Sequence, residues 1–235
     1  MKAVLAAAVF GLVSLSKAHM EMTFPAPLRS GYNPYTEDRD WDMISPLQEN
    51  GQDFPCKGSL NLVGTAQGTA VAEWTAGQQY NVTIKGNAPH SGGSCQVSLS
   101  TDKGQSWKVL RSYVGGCPVM GSSSYDFMLP SDAPTGQGLV GWSWFNNVGN
   151  REMYMNCAVV DIKSGKGASS SSSSSSDSYG AAGGVPYADR PAMFVANVGN
   201  GCGTEEGFDV EFPQMGPDPE LNSSRMRPPV GNCAK

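Results

Sequence analysis

The chain has 235 residues, enough for one medium domain or for one domain with an appendage. It carries 16 Lys and Arg residues against 21 Asp and Glu residues, a formal net charge of −5, and it has no run of basic residues. This balance argues against nucleic acid as a partner and favours a neutral partner such as a polysaccharide.

Residues 1–18 have the pattern of a secretion signal. A basic second residue precedes an apolar run that ends at Leu15, and the small residues Ser16 and Ala18 stand where a signal peptidase needs them. The run is too short for a transmembrane span, and no later segment approaches about 20 apolar residues. We therefore expect a secreted, extracellular protein with no membrane partner, whose first residue after cleavage is His19.

Residues 19–58 show little periodicity and predict a long irregular segment. Prolines punctuate it, with Asp, Arg and Asn turns between them. A loop of this length without secondary structure of its own is more often functional than incidental. We expect packing and Cys56 to hold it in place.

From about residue 70 the pattern changes to short strands separated by turn signals. In one of them Tyr80, Val82 and Ile84 alternate with Asn81 and Thr83. No amphipathic helix of convincing length is present, so the pattern predicts an all-β fold, an antiparallel β-sandwich of immunoglobulin-like type with long irregular loops. The predicted strands are 70–75, 79–85, 95–100, 107–113, 125–129, 138–145 and 152–162, and the predicted core domain is 19–163.

Two further segments follow the strands. Residues 164–184 are low in complexity, with an unbroken serine run over 169–176, and predict a flexible linker or disordered loop. Residues 185–235 regain apolar residues, but they are too few for an independent core. We expect this C-terminal segment to pack back onto the sandwich; the alternative is a separate small binding module.

Six cysteines in a secreted chain predict disulfide bonds, and they allow 15 connectivities. Pairing neighbours along the sequence, and then the two that remain, favours Cys95–Cys117, Cys202–Cys233 and Cys56–Cys157. No CxxC spacing is present, which argues against structural zinc. Sequons at Asn81 and Asn222 predict a glycoprotein.

The sequence gives little support for a hydrolase. A glycosidase needs two carboxyl groups with separated pKa values. The acidic clusters at 37–42 and 205–206 stand in loops without apolar shielding and predict solvated charges. A serine nucleophile would need a Gly-x-Ser-x-Gly elbow, which is absent.

The two histidines of the chain, His19 and His90, are the strongest candidates for chemistry. His19 would offer an α-amine and a ring nitrogen once the signal is removed. His90 stands in a Pro- and Gly-rich loop, where a histidine is usually only solvated. Together they would supply three nitrogen ligands in a T shape, an arrangement that suits Cu(II).

The segment 149–157 could complete such a site. If it is a strand, Glu152 and Tyr154 project from one face, and Met153 and Met155 project from the other. A tyrosine near a copper ion can fill or block an axial position, and a glutamate beside it can handle protons. A core strand with an incidental polar pair explains the pattern equally well.

These stretches together resemble the fungal lytic polysaccharide monooxygenases, in particular the chitin-active auxiliary activity family eleven. The resemblance covers most of the chain after residue 18. It is carried by His19-Met20-Glu21-Met22, by 25–30, by 90–95, by Trp142-Ser143-Trp144-Phe145-Asn146-Asn147, by 149–157, by 193–197 and by 228–233.

The resemblance implies one copper ion per chain, held by His19 and His90 with Tyr154 in the axial position and Glu152 nearby. It also implies an immunoglobulin- or fibronectin-III-like sandwich, monomeric, with a flat surface around the metal. An external electron donor would reduce the copper, and H2O2 or O2 would serve as the oxidant. The expected substrate is crystalline chitin or a related β-1,4-polysaccharide, attacked at C1 or C4.

Two other functions remain open on the sequence. A secreted, non-catalytic copper-binding protein of similar fold would serve copper acquisition, but such relatives bring an aspartate to the copper, and none adjoins either histidine. A chitin-binding wall module would use Trp41, Trp107 or Trp142 to stack on sugars. That function leaves the histidine at the start of the mature chain unexplained.

Overall fold

The computed structural model describes residues 19–165 and 184–233. The predicted signal peptide and nearly all of the predicted serine-rich linker lie outside the described residues. Within the described ranges, no helix is both apolar enough and long enough to cross a bilayer.

The described chain is built mainly from strands. The eight longer strands are β1 (His19–Phe24), β2 (Ala72–Thr75), β3 (Gln79–Ala88), β4 (Gly93–Ser100), β5 (Lys108–Val114), β6 (Gly121–Met128), β7 (Gly136–Asn146) and β8 (Met153–Lys163). Short strands of two residues follow: β9 (Cys202–Gly203), β10 (Asp209–Val210), β11 (Glu220–Leu221), β12 (Met226–Arg227) and β13 (Val230–Gly231). The helical turns are of 3-10 type, at Cys56–Leu62, Ala66–Gly68 and Tyr187–Asp189.

The longer strands form two sheets. One sheet has the order β1-β3-β6, and the other has the order β11-β5-β4-β7-β8-β2. The central pairs are antiparallel, whereas the edge strands β2 and β11 pair in parallel with β8 and β5. The prediction of an all-β sandwich is confirmed, and the purely antiparallel arrangement holds for its central strands.

All seven predicted strands are present, with ends shifted by up to four residues. The prediction of an irregular segment is wrong at its start, because β1 forms there. Met20 and Met22 are fully buried and alternate along the chain with the polar residues Glu21 and Thr23. This alternation with a period of two residues is typical of a strand, and it is visible in the sequence itself. β1 lies antiparallel to β3, with Met22 opposite Ile84.

The main core lies between the two sheets. The three-stranded sheet contributes Met20, Met22, Val82, Ile84 and Phe127, and the six-stranded sheet contributes Val97, Leu99, Trp142, Trp144 and Tyr154. These side chains are essentially removed from solvent, so they supply most of the hydrophobic stabilisation of the sandwich.

A second apolar cluster covers the outer face of the six-stranded sheet. Phe194 and Phe212 of the C-terminal segment pack against Phe145 of β7, with ring centroids 5.0 and 6.0 Å away. Leu28 and Leu47 of the N-terminal loop lie in the same cluster. The sheet is therefore covered on both faces, which explains why β7 and β8 are buried almost throughout.

Three disulfide bonds are present, and their pairing confirms the expected one. Their partners are Cys56–Cys157, Cys95–Cys117 and Cys202–Cys233. The first fastens the N-terminal loop to β8, and the last closes a loop within the C-terminal segment. The predicted domain limits themselves stay a prediction.

Candidate metal centre

The register of β1 brings the two histidines to the same end of the sandwich. His19 begins β1 and lies opposite Ala88, the last residue of β3. The chain then turns, and His90 follows two residues later. The burial of Met20 and Met22 fixes the register of β1 from Met20 onward, because a slip by one residue would turn both side chains out of the core. An irregularity between His19 and Met20 then shifts His19 by one residue, to the position opposite Ala88.

The backbone around His90 adopts an uncommon conformation. His90 and Ser91 have φ angles of +46° and +61°, in the left-handed region that residues other than glycine rarely occupy. Two hydrogen bonds hold the turn: Gly92 N–H donates to the Pro89 carbonyl (2.7 Å), and Val148 N–H donates to the His90 carbonyl (3.1 Å). Strain of this kind, about 1–3 kcal/mol per residue, collects at functional sites.

The ring of His90 is oriented by a backbone carbonyl. Its Nδ1 lies 2.9 Å from the carbonyl oxygen of Val148. Because a carbonyl only accepts, Nδ1 carries the proton in the neutral ring and Nε2 keeps its lone pair. Nε2 is buried and has no hydrogen-bond partner among the described residues. A buried polar atom without a partner costs about 1–3 kcal/mol, and a metal ligand is one of the few roles that explain it.

Tyr154 lies on β8, close to this turn. Its ring stacks on Trp144 with centroids 4.3 Å apart, and the Trp144 ring lies 6.3 Å from that of His90. The Tyr154 hydroxyl donates a hydrogen bond to Oε2 of Glu152 (2.6 Å). Burial, reinforced by the bond to Glu152 and by its charge, raises the pKa of Tyr154 well above the usual tyrosine range. The side chain is therefore a neutral phenol.

β1 is also tied directly to β8. The Met22 N–H donates to Oδ1 of Asn156 (2.9 Å), a buried contact between residues far apart in sequence. The structure thus brings together the backbone of His19, the ring of His90, and the Glu152–Tyr154 pair. All four residues were selected from the sequence; their role as ligands or catalytic groups stays a prediction.

The donor set fits a metal that prefers nitrogen. Among the described residues, no group of three or more His, Cys, Asp or Glu side chains is placed to hold a metal ion. A metal at His90 would therefore need donors of another kind. The backbone nitrogen of His19, which would become an α-amine if the chain is cut before it, lies at the same end of the sandwich.

The loop that follows β1 carries exposed aromatic side chains. Ser30 donates to the buried carboxylate of Glu21 (2.6 Å), which fastens this loop to β1. The Trp41 side chain is 79% exposed, with the Arg39 guanidinium 4.1 Å from its ring. The alternative stacking role for Trp107 and Trp142 is wrong, because both rings are buried in the two apolar clusters.

Sequence reasoning missed the residues that surround the His90 ring. Val148 supplies the carbonyl that holds Nδ1, and Gly149 has its α-carbon against the ring: a β-carbon there would lie 3.0 Å from Nδ1. The Asn-x-Gly-Asn spacing signals a turn. Nothing in it indicates which carbonyl of the turn meets a side chain 58 residues away.

The fold and the site define a β-sandwich protein with a candidate metal centre at one end. No family model matches the chain. The AA11 family lytic polysaccharide monooxygenase A of Aspergillus fumigatus is 48% identical, over 87% of this chain and 86% of that protein. The chain belongs to the AA11 family of lytic polysaccharide monooxygenases, which confirms the resemblance.

A second curated relative and one solved structure are more distant. The AA11 family lytic polysaccharide monooxygenase B of A. fumigatus is 37% identical over 92% of this chain, which spans about half (52%) of that protein. A cellulose-active polysaccharide monooxygenase from M. thermophila is 18% identical, over 64% of this chain and 78% of that one, with a TM-score of 0.43. The family assignment rests on the sequence relatives.

Proposed function

We propose that the chain is a secreted, copper-dependent monooxygenase that cleaves glycosidic bonds in crystalline chitin by oxidation at C1 or C4. Membership of the AA11 family supports a polysaccharide monooxygenase. The observation that carries the copper site is the buried Nε2 of His90, which has no hydrogen-bond partner among the described residues and lies in the turn that follows the strand paired with His19.

Copper is the metal that this donor set favours. The α-amine and a ring nitrogen of His19, with Nε2 of His90, are three nitrogen donors, and Cu(II) prefers such donors in a tetragonal arrangement. Tyr154, whose ring stacks on Trp144 near the ring of His90, would lie beside the metal as a neutral phenol. When bound and reduced by an external donor, copper supplies the one-electron chemistry that lets H2O2 or O2 remove a hydrogen from C1 or C4 of a sugar.

The protein's own groups orient and protect this site. The Val148 carbonyl keeps the proton on Nδ1 of His90, so that Nε2 retains a lone pair with which it could hold a metal. Tyr154 stays protonated and directs its hydroxyl proton to Glu152, which makes Glu152 the nearest acceptor for a proton in this part of the site. Trp144 closes the apolar side, because its ring packs on Tyr154.

The exposed aromatic side chains of the loop that follows β1 suit binding to the surface of a crystalline polymer. Tyr32, Tyr35 and Trp41 expose 40–79% of their surface on the loop tied to β1. Exposed aromatic rings offer flat apolar faces on which sugar rings can stack. The neutral N-acetylglucosamine units of chitin also suit a protein whose net charge is negative.

The site requires maturation. Before the bond between Ala18 and His19 is cut, the nitrogen of His19 is a peptide nitrogen, whose lone pair is delocalised into the carbonyl and makes it a much poorer metal donor than a free amine. Secretion and signal removal therefore belong to the proposal. The sequons at Asn81, on the strand β3, and at exposed Asn222 are accessible to glycosylation.

The test is product analysis. The chain beginning at His19 is loaded with copper and incubated with β-chitin and ascorbate, and the soluble products are examined by mass spectrometry. We expect oxidised chito-oligosaccharides, and none from the His90→Ala variant treated identically. Tight copper binding without oxidised product on any chitin would instead favour a copper carrier.

A further inference from the structure

We propose that Arg151 is a positioning residue that joins the C-terminal segment to the turn holding the His90 ring, and that it thereby presents Nε2 for metal binding. The inference rests on the proposed function, because it takes His90 as a metal ligand. It assigns part of the metal site to residues 205–209, far from both histidines in sequence.

The Arg151 guanidinium donates only to backbone carbonyls. Nε and Nη2 reach the Gly149 carbonyl (3.2 and 2.8 Å), and Nη2 also reaches that of Asn147 (3.2 Å). Nη1 reaches the carbonyls of Asn146 (2.9 Å) and Glu205 (3.4 Å). A guanidinium has five N–H donors in a rigid plane, so these five contacts use its whole capacity. Lysine, with three donors on one atom, cannot reproduce them.

These contacts enclose Val148, the residue that orients His90. Val148 stands between Asn147 and Gly149, whose carbonyls Arg151 binds. Its own carbonyl also accepts the Asn146 side-chain amide (3.0 Å), which donates to the Asn150 carbonyl as well (2.7 Å). The contacts of Arg151 to the neighbouring carbonyls and of the Asn146 amide to the Val148 carbonyl together fix the position of the Val148 oxygen. That oxygen in turn fixes the His90 ring.

The C-terminal segment holds the same turn from outside. The carboxylate of Glu206 accepts the Gly149 N–H (3.1 Å), and the Gly207 N–H donates to the Asn147 carbonyl (2.8 Å). The side-chain amide of Asn147 donates to Asp209 (2.7 Å). Together with the Arg151 bond to the Glu205 carbonyl, these contacts make the segment a support of the turn.

The expected consequence concerns the proton on the His90 ring. If the Val148 carbonyl moves away, Nδ1–H loses its acceptor, and the ring can rotate or carry its proton on Nε2. Either change removes the lone pair from the metal position. Loss of the groups that orient a ligating histidine typically weakens metal binding by about 10–100-fold.

The experiment compares Arg151→Met and Arg151→Lys with a matched control, Arg190→Met. Arg190 is buried, whereas Arg151 is partly buried, and like Arg151 it donates to backbone carbonyls, those of Val109, Leu110 and Val185. These contacts lie on the strand β5 and at the start of the C-terminal segment, and not on the turn that holds His90. Removing either arginine therefore leaves unpaired carbonyls, but only Arg151 supports the Val148 oxygen.

Two readouts are taken on the chain that begins at His19, and thermal melts confirm that each variant is folded. In the metal-free protein, 15N NMR at a pH where the ring is neutral reports which nitrogen of His90 carries the proton. Calorimetric titration with Cu(II) then gives the affinity. We expect the wild type and Arg190→Met to show Nδ1–H, and both Arg151 variants to populate Nε2–H and to bind copper about 10–100-fold more weakly.

A second pair of variants covers the case in which Arg151→Met fails to fold. Glu206→Ala removes one surface contact to the turn and should weaken copper binding, and Glu206→Gln, which keeps an acceptor oxygen for Gly149 N–H, should restore it. Arg151 variants with an unchanged Nδ1–H ring and unchanged affinity would overturn the inference. If the wild type binds no copper while Arg151→Lys still alters the ring, the proposed function fails and the positioning role stands.

Discussion

Replacing Gly149 by alanine should damage the metal site through one added methyl group. Gly149 has a φ angle of +105°, and a β-carbon built there lies 3.0 Å from Nδ1 of His90. Holding a non-glycine residue in this region costs about 1–3 kcal/mol, which for a chain of this size lowers Tm by about 2–4 °C per kcal/mol. In addition, the methyl group would crowd Nδ1 of His90, the atom that bonds to the Val148 carbonyl, and we expect it to displace the ring.

The Gly136→Ala variant separates these two effects. Gly136 has a φ angle of +103°, and among the described residues no atom other than those of its chain neighbours lies within 4 Å of the position its β-carbon would take. Both variants should lose similar stability in calorimetric melts. Only Gly149→Ala should lose copper affinity in titration, by about tenfold or more. Equal copper affinity in the two variants would refute the view that close packing against His90 sets the metal site.

Two further predictions concern the surface and the second apolar cluster. Trp41→Ala should weaken binding to β-chitin by about twofold to tenfold, the value of one aromatic contact, and leave copper affinity unchanged. Depletion assays measure the binding to chitin, and a variant that binds chitin as well as the wild type would show that Trp41 is not part of the substrate surface. Phe212→Ala should lower the free energy of unfolding by about 3–5 kcal/mol, because the ring is 2% exposed and packs on Phe145 and Phe194; a loss below about 1 kcal/mol in urea titrations would contradict the packing described for the C-terminal segment.

The sequence predicted the parts of the fold that depend on local alternation. Tyr80, Val82 and Ile84 marked β3 because their neighbours are polar. The same rule applies to Met20 and Met22, but β1 was missed, since one short alternating stretch next to several prolines gives a weak signal. The parallel pairing of the edge strands could not be predicted, because it depends on long connections whose path no local pattern records.

The candidate site also has a part that the sequence could predict and a part that it could not. His19, His90, Glu152 and Tyr154 could be selected because their side-chain chemistry is rare in this chain or matches a known family. The contacts that orient them could not. Val148 orients the His90 ring through its backbone carbonyl, a group that every residue possesses. Its role therefore depends only on where the folded turn places that carbonyl, and no residue type in the sequence could indicate it.

We propose that the amine of His19 and the ring of His90 bind copper together. The most direct test of this proposal is Cu(II) titration calorimetry on two purified chains, one beginning at His19 and one with a single additional Met before it. The extra residue turns the α-amine of His19 into an amide and leaves every side chain of the fold in place. We expect the first chain to bind one copper ion tightly and the second chain to lose that binding. Equal affinity in the two chains would contradict the proposal.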